Sequence, residues 1–403
     1  MHLPLTPGQR AASETAGRLA RERFAPRAAA YDTELRLPVE DLRDLAEAGL
    51  LNLAAGEDIG GGGSGVLGKD PLLYLLILEQ LARYSGLATS HSLQVHSHAV
   101  HFIDRIADDR QRRTVLAPLL QRNVLMTTLG SEPGRTARGA RHTTLARRSE
   151  TGFVLSGVKN FATLADACGY LLVLADGDPQ SGVAAGQRLG LLVPVDGEGV
   201  RIEPGSWDPY GMRAAVSPVV HLEEHFVPQS HVIGAPGAHA AGNWSLKADL
   251  GFAAQYVGGA QRILDLTADA VQRRGLSESP PALVRLGEAQ SRVESARWHY
   301  YGAAKLWELG DEEAAGPASL SAKLQAIHAG ELALEMATRI AGPSAFQADS
   351  ALSRISRDLR YFMMREQVDA GAISIGSRFF NENPIVAAVD RPPAANDYAR
   401  AAR

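Results

Sequence analysis

LMTTLGSEPG, residues 125–134, and VLSGVKNFAT, residues 154–163, decide the fold. In the first, a strand-prone run from Val124 to Thr128 stops at Gly130-Ser131-Glu132-Pro133-Gly134. Proline fixes φ there and glycine admits backbone conformations closed to other residues, so the turn leaves backbone amides exposed. In the second, the alternation of Phe153 and Leu155 with Lys159, Phe161 and Thr163 around Ser156-Gly157 predicts a hairpin that turns at the Ser-Gly pair. Together they predict strand ends presenting amide, hydroxyl and aromatic groups to one flat, polar-edged ligand. Glu-Pro-Gly and Ser-Gly also form plain surface turns, so the weight rests on their order and spacing.

Outward from this pair, FVLSG, YLLVLAD, LGLLVPVD and PVVHLEEHFVP alternate with turn signals at Asp176-Gly177, Asp196-Gly197 and Pro204-Gly205, the pattern of a β domain. Upstream the chain reads as helical. Thr6-Pro7 caps a helix reaching Ala30, Pro38-Val39 opens another ending at Gly49, and two more span 71–85 and 89–106. The Gly-rich acidic stretch at 57–65 has no Lys-Ser/Thr pair after it, so it is not a phosphate loop. Beyond Ala240, the residues Leu246, Leu250, Ala253, Val257, Ala260, Leu264 and Val271 make one stripe at three-four spacing, and further helices over 283–309, 319–340 and after Ser350 complete a bundle. The expected architecture is α+β and multidomain: a helical N-terminal domain (1–122), a middle β-barrel or sandwich domain (123–238) and a C-terminal helix bundle (239–403).

A chain of 403 residues exceeds one compact core, and 45% hydrophobic with 21% charged residues is ordinary for a soluble globular protein. A net charge of −4 gives no footprint for nucleic acid or an anionic membrane. No window approaches the roughly 20 apolar residues of a membrane span. Cys168 is the one cysteine, which excludes an intrachain disulfide and fits a reducing cytosol. The N-terminus lacks an uninterrupted apolar core, so a cytoplasmic protein is expected. SHSLQVHSHAVHF, residues 90–102, holds His91, His96, His98 and His101. Helical spacing sets His91 and His98 on one face with His96 well round the cylinder, and no carboxylate completes a ligand set, so no metal is expected.

The two opening motifs resemble the flavin site of the acyl-CoA dehydrogenase superfamily, with its Thr-Glu-Pro-Gly followed by Asn-Gly-x-Lys-x-aromatic. The resemblance implies that Ser131 bonds the pyrimidine edge of an isoalloxazine, Phe161 covers one ring face and Thr163 reaches the N5/O4 side. A flat π-system suits an aromatic lid, and a reduced flavin carries negative charge that donors stabilise. Trp207-Asp208-Pro209-Tyr210-Gly211-Met212-Arg213-Ala214, with Ser217 and Val227-Pro228, is similar to a further stretch of that family. The order helices, strands, bundle is the superfamily's too, so the resemblance spans the chain. It implies FAD, and a homotetramer or homodimer in which Arg274 grips the flavin pyrophosphate of a neighbouring subunit, with Gly342 and Phe346 near the adenine end. It also implies an acyl substrate in a cavity bordered by His96 or His98, and an electron-transfer partner.

Counting from Arg357-Asp358, Glu366 falls where dehydrogenases of this family place their catalytic glutamate. On that resemblance its carboxyl, raised towards neutrality by an apolar cavity, removes a proton α to a thioester carbonyl while the flavin accepts hydride from the β carbon. Some residues depart from the pattern: Gln367-Val368 replace Gly-Thr, Ala248 and Asp249 stand where relatives carry a base and an arginine, and Arg135-Thr136-Ala137-Arg138 replace Ala-Gly-Ser-Asp. These departures open a second reading, a flavin-dependent monooxygenase of the same fold that uses FMN reduced by a partner reductase. A third is a non-catalytic member that binds flavin or acyl groups.

Overall fold

The computed structural model describes residues 5–65, 68–134, 141–181, 186–241, 244–366 and 368–380, with backbone alone for those described between 240 and 247. Arg135, Thr136, Ala137, Arg138 and Gln367 therefore lie outside the described residues, as does the side chain of Leu246.

Thr6 starts helix α1 (Pro7–Leu19) through a reciprocal cap: its hydroxyl accepts from the Gln9 amide at 3.2 Å, and Gln9 Oε1 accepts from the Thr6 amide at 2.9 Å. The helix expected to reach Ala30 instead passes through a π-helical turn at Ala20–Phe24 and restarts as α2 (Ala28–Thr33). Past that break, Arg27 reaches buried Asp41 and Asp44 at 3.0 and 2.9 Å. Helices α3 (Val39–Glu47), α4 (Pro71–Tyr84), α5 (Leu87–Ile106), α6 (Asp109–Gln111) and α7 (Ala117–Gln121) complete the N-terminal part.

The middle part is a sheet of strands β1 (Met126–Leu129), β2 (Leu145–Arg148), β3 (Gly152–Lys159), β4 (Tyr170–Gly177), β5 (Arg188–Pro194), β6 (Val200–Ile202), β7 (Val220–Pro228) and β8 (Val232–Ile233). The order is β6-β7-β3-β2-β4-β5-β8, and β1 also pairs with β4. Because β1 faces Tyr170 to Val173 and β2 faces Asp176 and Gly177, the two lie end to end along one edge of β4. The loop that leaves and rejoins this edge carries Glu-Pro-Gly.

Two expectations change here. β3 does not turn at Ser156-Gly157 but runs through it, with a bulge against β7 between Leu155 and Gly157. Gly157 has φ +153°, and a Cβ there would lie 2.6 Å from Thr144 Cα, so the returning loop passes too close for any other residue. The hairpin turn sits instead between β2 and β3, closed by Ser149 N to Gly152 O at 3.0 Å. Asp176-Gly177 likewise ends β4, where Asp176 accepts from Arg188 Nε at 2.6 Å and the His142 amide at 2.8 Å.

The C-terminal part is α8 (Ala238–Ala241), α9 (Trp244–Arg273), α10 (Pro280–Glu308), α11 (Glu312–Ile340), α12 (Ala351–Met364) and α13 (Val368–Gly376). Leu250, Ala253, Val257, Ala260 and Leu264 of the expected stripe are all buried in the core. Among the described residues no helix is long and apolar enough to cross a membrane.

The sheet docks on the bundle through 207–214. A Cβ on Gly211 would lie 2.5 Å from Arg357 O, and the Met212 amide donates to Asp358 Oδ1 at 2.7 Å. Burial, only partly offset by that bond, pushes the Asp358 carboxyl up to about 6. A raised carboxyl pKa means that the folded state disfavours the ionised form, so stability falls as pH rises from the ordinary carboxyl value of 3.8 through about 6. Asp358→Asn keeps the acceptor without the ionisation. The variant is expected to gain up to about 3 kcal/mol over the wild type at pH 7.5 and little at pH 4. Urea midpoints at the two pH values check this, and an equal loss at both would refute it.

Candidate active site

The two opening motifs meet. The Asn160 amide donates to Ser131 O at 3.1 Å, joining the end of β1 to the end of β3. Beneath this contact Glu132 is buried as a hub. It takes Lys159 Nζ at 2.7 Å, the Thr143 amide at 2.7 Å, the Thr144 amide at 3.1 Å and His142 Nδ1 at 2.9 Å. Burial alone would raise the Glu132 carboxyl, but Lys159 and these amides outweigh it and hold the group well below the usual carboxylate range. The Glu-Pro-Gly and Lys-x-Phe elements are thus bolted together by one buried ion pair.

Above the hub, Ser131 is exposed, and Phe161 stands 61% exposed at φ +50°. A left-handed, solvent-facing phenylalanine is an unusual expense of backbone and apolar surface. Thr163 is buried, with its hydroxyl 2.7 Å from Ser217 Oγ, and its amide donates to Phe161 O at 2.9 Å. Asn160 Oδ1 is buried with no hydrogen-bond partner. An open aromatic face beside hydroxyls and an unsatisfied acceptor fits the ring and polar edge of a flavin, whose ring N–H and carbonyls need such partners.

From this edge a row of rings leads into the bundle. Phe161 lies 6.3 Å from Trp207, and Trp207 lies 6.3 Å from Tyr361 on α12. One turn further, just past the end of α12 at Met364, come Arg365 and Glu366. The Glu366 side chain is 3% exposed and closed on both oxygens: Oε1 accepts from Tyr256 OH at 2.8 Å, and Oε2 pairs with Lys323 Nζ at 2.9 Å. Lys323 also holds Asp249 at 2.7 Å. Burial pushes the Glu366 carboxyl up, but Lys323, Arg365 and Tyr256 together bring it below its ordinary value. The raised, poised carboxyl expected from an apolar cavity is therefore not what surrounds Glu366. Asp249, which stands where relatives carry an arginine, is spent on the same lysine.

Arg365 lies over the Phe252 ring at 4.0 Å, and His91 packs its ring 4.8 Å from Phe362. His98 is partly exposed with its ring 4.2 Å from Phe102. Burial keeps both histidines neutral, with pKa values of about 3, helped at His91 by the Arg365 charge and at His98 by His101 and His239 ahead of Arg365. His96 belongs elsewhere: its Nε2 meets Asn52 Oδ1 at 3.1 Å and its Nδ1 accepts from the Met126 amide at 3.2 Å. Both ring nitrogens are used inside the protein, so His96 ties α5 to β1 and lines no cavity with a free nitrogen. Among the described residues no group of three or more His, Cys, Asp or Glu side chains is placed to hold a metal ion.

Arg274 and Gly342 come together at a different place. Arg274 Nη1 donates to Ile340 O at 2.8 Å, and a Cβ on Gly342 would lie 3.0 Å from that nitrogen. Phe346 ends the same short turn, Pro343–Phe346. Arg274 follows directly on α9, roughly 27 Å further along its axis than Tyr256 at about 1.5 Å per residue.

This fold and strand-edge site define a flavin-binding enzyme of helix–sheet–bundle design. The family described as acyl-CoA dehydrogenase, N-terminal domain, matches residues 6–123, and acyl-CoA dehydrogenase, C-terminal domain, matches 250–369. The mitochondrial short-chain specific acyl-CoA dehydrogenase of Bos taurus is 25% identical over 359 residues, covering 86% of this chain and 84% of the bovine protein. The 3-(aryl)acrylate reductase of Clostridium sporogenes is 24% identical over 357 residues, covering 86% of this chain and 91% of that protein. Among solved structures, the dibenzothiophene monooxygenase TdsC of Paenibacillus sp. A11-2 superimposes with a TM-score of 0.82 at 19% identity, covering 93% of this chain and 98% of that one. The chain belongs to the acyl-CoA dehydrogenase superfamily of flavin-dependent oxidoreductases.

Proposed function

We propose that this chain is a flavin-dependent monooxygenase acting on an apolar, aromatic substrate. The observation that carries the reading is the state of Glu366 and Asp249, both committed to Lys323, which leaves neither carboxylate free to take a proton from carbon. Packed near Glu366 are the aromatic rings of Phe252, Phe362 and an uncharged His91, with Arg365 over Phe252. A bound reduced flavin, supplied by a reductase, would give two electrons to oxygen, so that one oxygen atom enters the substrate and the other leaves as water with two protons. This chain's part is to cover the ring with Phe161, to meet its polar edge with Ser131, Asn160 and Thr163, and to exclude water with the phenylalanine pair. The solved relative is a monooxygenase that has also been crystallised with FMN, which supports FMN over FAD. We read Arg274, with Gly342 and Phe346, as serving the cofactor of a second copy, as the resemblance implies, because Arg274 and Gly342 meet at the far end of α9.

A second reading, α,β-dehydrogenation of an acyl thioester with FAD and Glu366 as base, is favoured by the position of Glu366 at the end of α12 and by the bovine relative's activity. It requires Lys323 to release the carboxylate. Anaerobic mixing of the flavin-loaded protein with short-chain acyl-CoAs separates the two. The first reading expects no bleaching of the flavin, followed by an oxygenated product when the dithionite-reduced protein meets oxygen and an aromatic substrate. Bleaching that Glu366→Gln abolishes would overturn it in favour of the second.

A further inference from the structure

Thr163 and Ser217 face each other across a short two-stranded contact at the flavin edge. The Ala162 amide donates to Pro218 O at 3.1 Å and the Leu164 amide to Val216 O at 3.1 Å, which brackets Thr163 against Ser217 and brings their hydroxyls to 2.7 Å. Both residues are buried, but Thr163 keeps 8% of its surface open on the strand end that carries Phe161. Each hydroxyl has one proton to give and lone pairs to offer. Ser217 Oγ also lies 2.5 Å from Ala215 O, and a carbonyl oxygen only accepts, so the Ser217 proton is spent there. The bond between the two hydroxyls is then donated by Thr163. That leaves Thr163 Oγ1 with a free lone pair and no proton. Asn160 Oδ1, three residues earlier on the same strand end, is a second acceptor without a partner.

We propose that Ser217 is a positioning residue that fixes the Thr163 hydroxyl as an acceptor, so that the site holds reduced flavin more tightly than oxidised flavin. The inference rests on reading Thr163 as the residue at the N5/O4 side of the ring. Reduction places a proton on N5 where the oxidised ring has a lone pair, so an acceptor there bonds the reduced ring and meets the oxidised one lone pair to lone pair. Thr163 can turn its proton to the oxidised ring only by giving up its bond to Ser217. The difference is about one hydrogen bond, or about tenfold in affinity. It suits a chain that receives its flavin already reduced by a separate reductase: the charged form is retained and the spent form is released.

Anaerobic titration of the protein with FMN and with dithionite-reduced FMN tests it, together with the midpoint potential of the bound flavin against a reference dye. The wild type is expected to bind reduced FMN more tightly than oxidised FMN. Ser217→Ala frees the Thr163 proton to serve either ring and should cut that preference about tenfold, which lowers the bound midpoint by about 30 mV for a two-electron couple. Ser217→Thr keeps a hydroxyl for Ala215 O and should keep the preference. Thr163→Val removes the acceptor itself and should lose the preference to the same extent, so it carries the test if Ser217→Ala does not fold. A preference unchanged within about twofold in these two variants overturns the proposal, as does tighter binding of oxidised FMN by the wild type. So does a Ser217→Ala protein that binds both forms more weakly with its midpoint unmoved, the mark of a purely structural serine. A redox preference with no oxygenated product from an aromatic substrate would sink the monooxygenase reading alone, whereas product formed by a protein without that preference would sink the hydroxyl assignment alone.

Discussion

Lys323→Met is expected to destabilise the protein by about 3–5 kcal/mol at neutral pH, the range for removing one partner of a buried pair. Lys323 is 5% exposed and pairs with both Asp249 at 2.7 Å and Glu366 at 2.9 Å. Without it, two acids from α9 and α12 face each other in a space from which water is excluded, and one of them must take up a proton or the helices must part. The pH dependence gives the argument its sign. In the wild type the Glu366 carboxyl lies below its ordinary value, so its contribution is present at neutral pH and fades as pH falls through the carboxylate range. In Lys323→Met both acids become burdens when ionised, so the variant should recover on acidification. Urea unfolding at pH 7.5 and pH 5 measures this, and Asp249→Asn placed in the same chain should restore part of the loss by removing one of the two charges. A cost below about 1 kcal/mol would mean that water reaches the group, and the case for Glu366 as a sealed, non-reacting carboxylate would go with it. Flavin bleaching by an acyl-CoA in the variant alone would identify Lys323 as the lock on a latent base.

Local chemistry carried much of this structure in plain view. Prolines and caps marked the helix starts at Pro7, Val39 and Pro71, because a missing amide proton or a capping hydroxyl acts within one turn. Ser131, Phe161 and Thr163 could be placed together because strand ends and turn residues are short-range features. The Ser156-Gly157 turn failed for a definite reason: a glycine inside an alternating run marks a bulge as readily as a hairpin, and what decides is the approach of Thr144, thirteen residues before Gly157. The environment of Glu366 was out of reach in the same way. Counting along α12 located the residue, but its partners come from α9 and α11, and nothing in a single chain's spelling ties Asp249 to a lysine 74 positions later. One signal was available. Lys323 interrupts the apolar run SLSAKLQAI on α11, and Asp249 interrupts a similar run on α9. Two lone opposite charges on faces bound for the same core are a reason to pair them.

Lys159→Met is expected to cost a further class of stability, again about 3–5 kcal/mol, and to take the flavin site with it. Lys159 and Glu132 are fully buried, and their ion pair at 2.7 Å is the bolt between the loop that carries Ser131 and the strand that delivers Asn160 and Phe161. Removing the ammonium leaves Glu132 with two backbone amides, the Thr143 hydroxyl and His142, and the carboxylate that Lys159 had held far below its usual range becomes a charge in a dry interior. Its contribution to stability is complete above the ordinary carboxylate pKa and is lost as pH falls, so the wild type should resist acid less well than a Lys159→Met/Glu132→Gln chain relative to their neutral stabilities. That double variant removes both charges and keeps one of the two amide contacts, because glutamine has one acceptor oxygen where the carboxylate used both, and should recover much of the thermal stability lost by Lys159→Met. Flavin affinity then separates fold from site. If the bolt only stabilises the sheet, the double variant binds flavin as the wild type does. If it sets the angle at which β1 and β3 meet, flavin retention stays low although the melting temperature has returned, because Phe161 at φ +50° depends on the neighbouring Asn160–Ser131 contact for its position. The second outcome is the one expected, since a left-handed phenylalanine held open to solvent keeps that conformation only where its flanking strand ends are fixed.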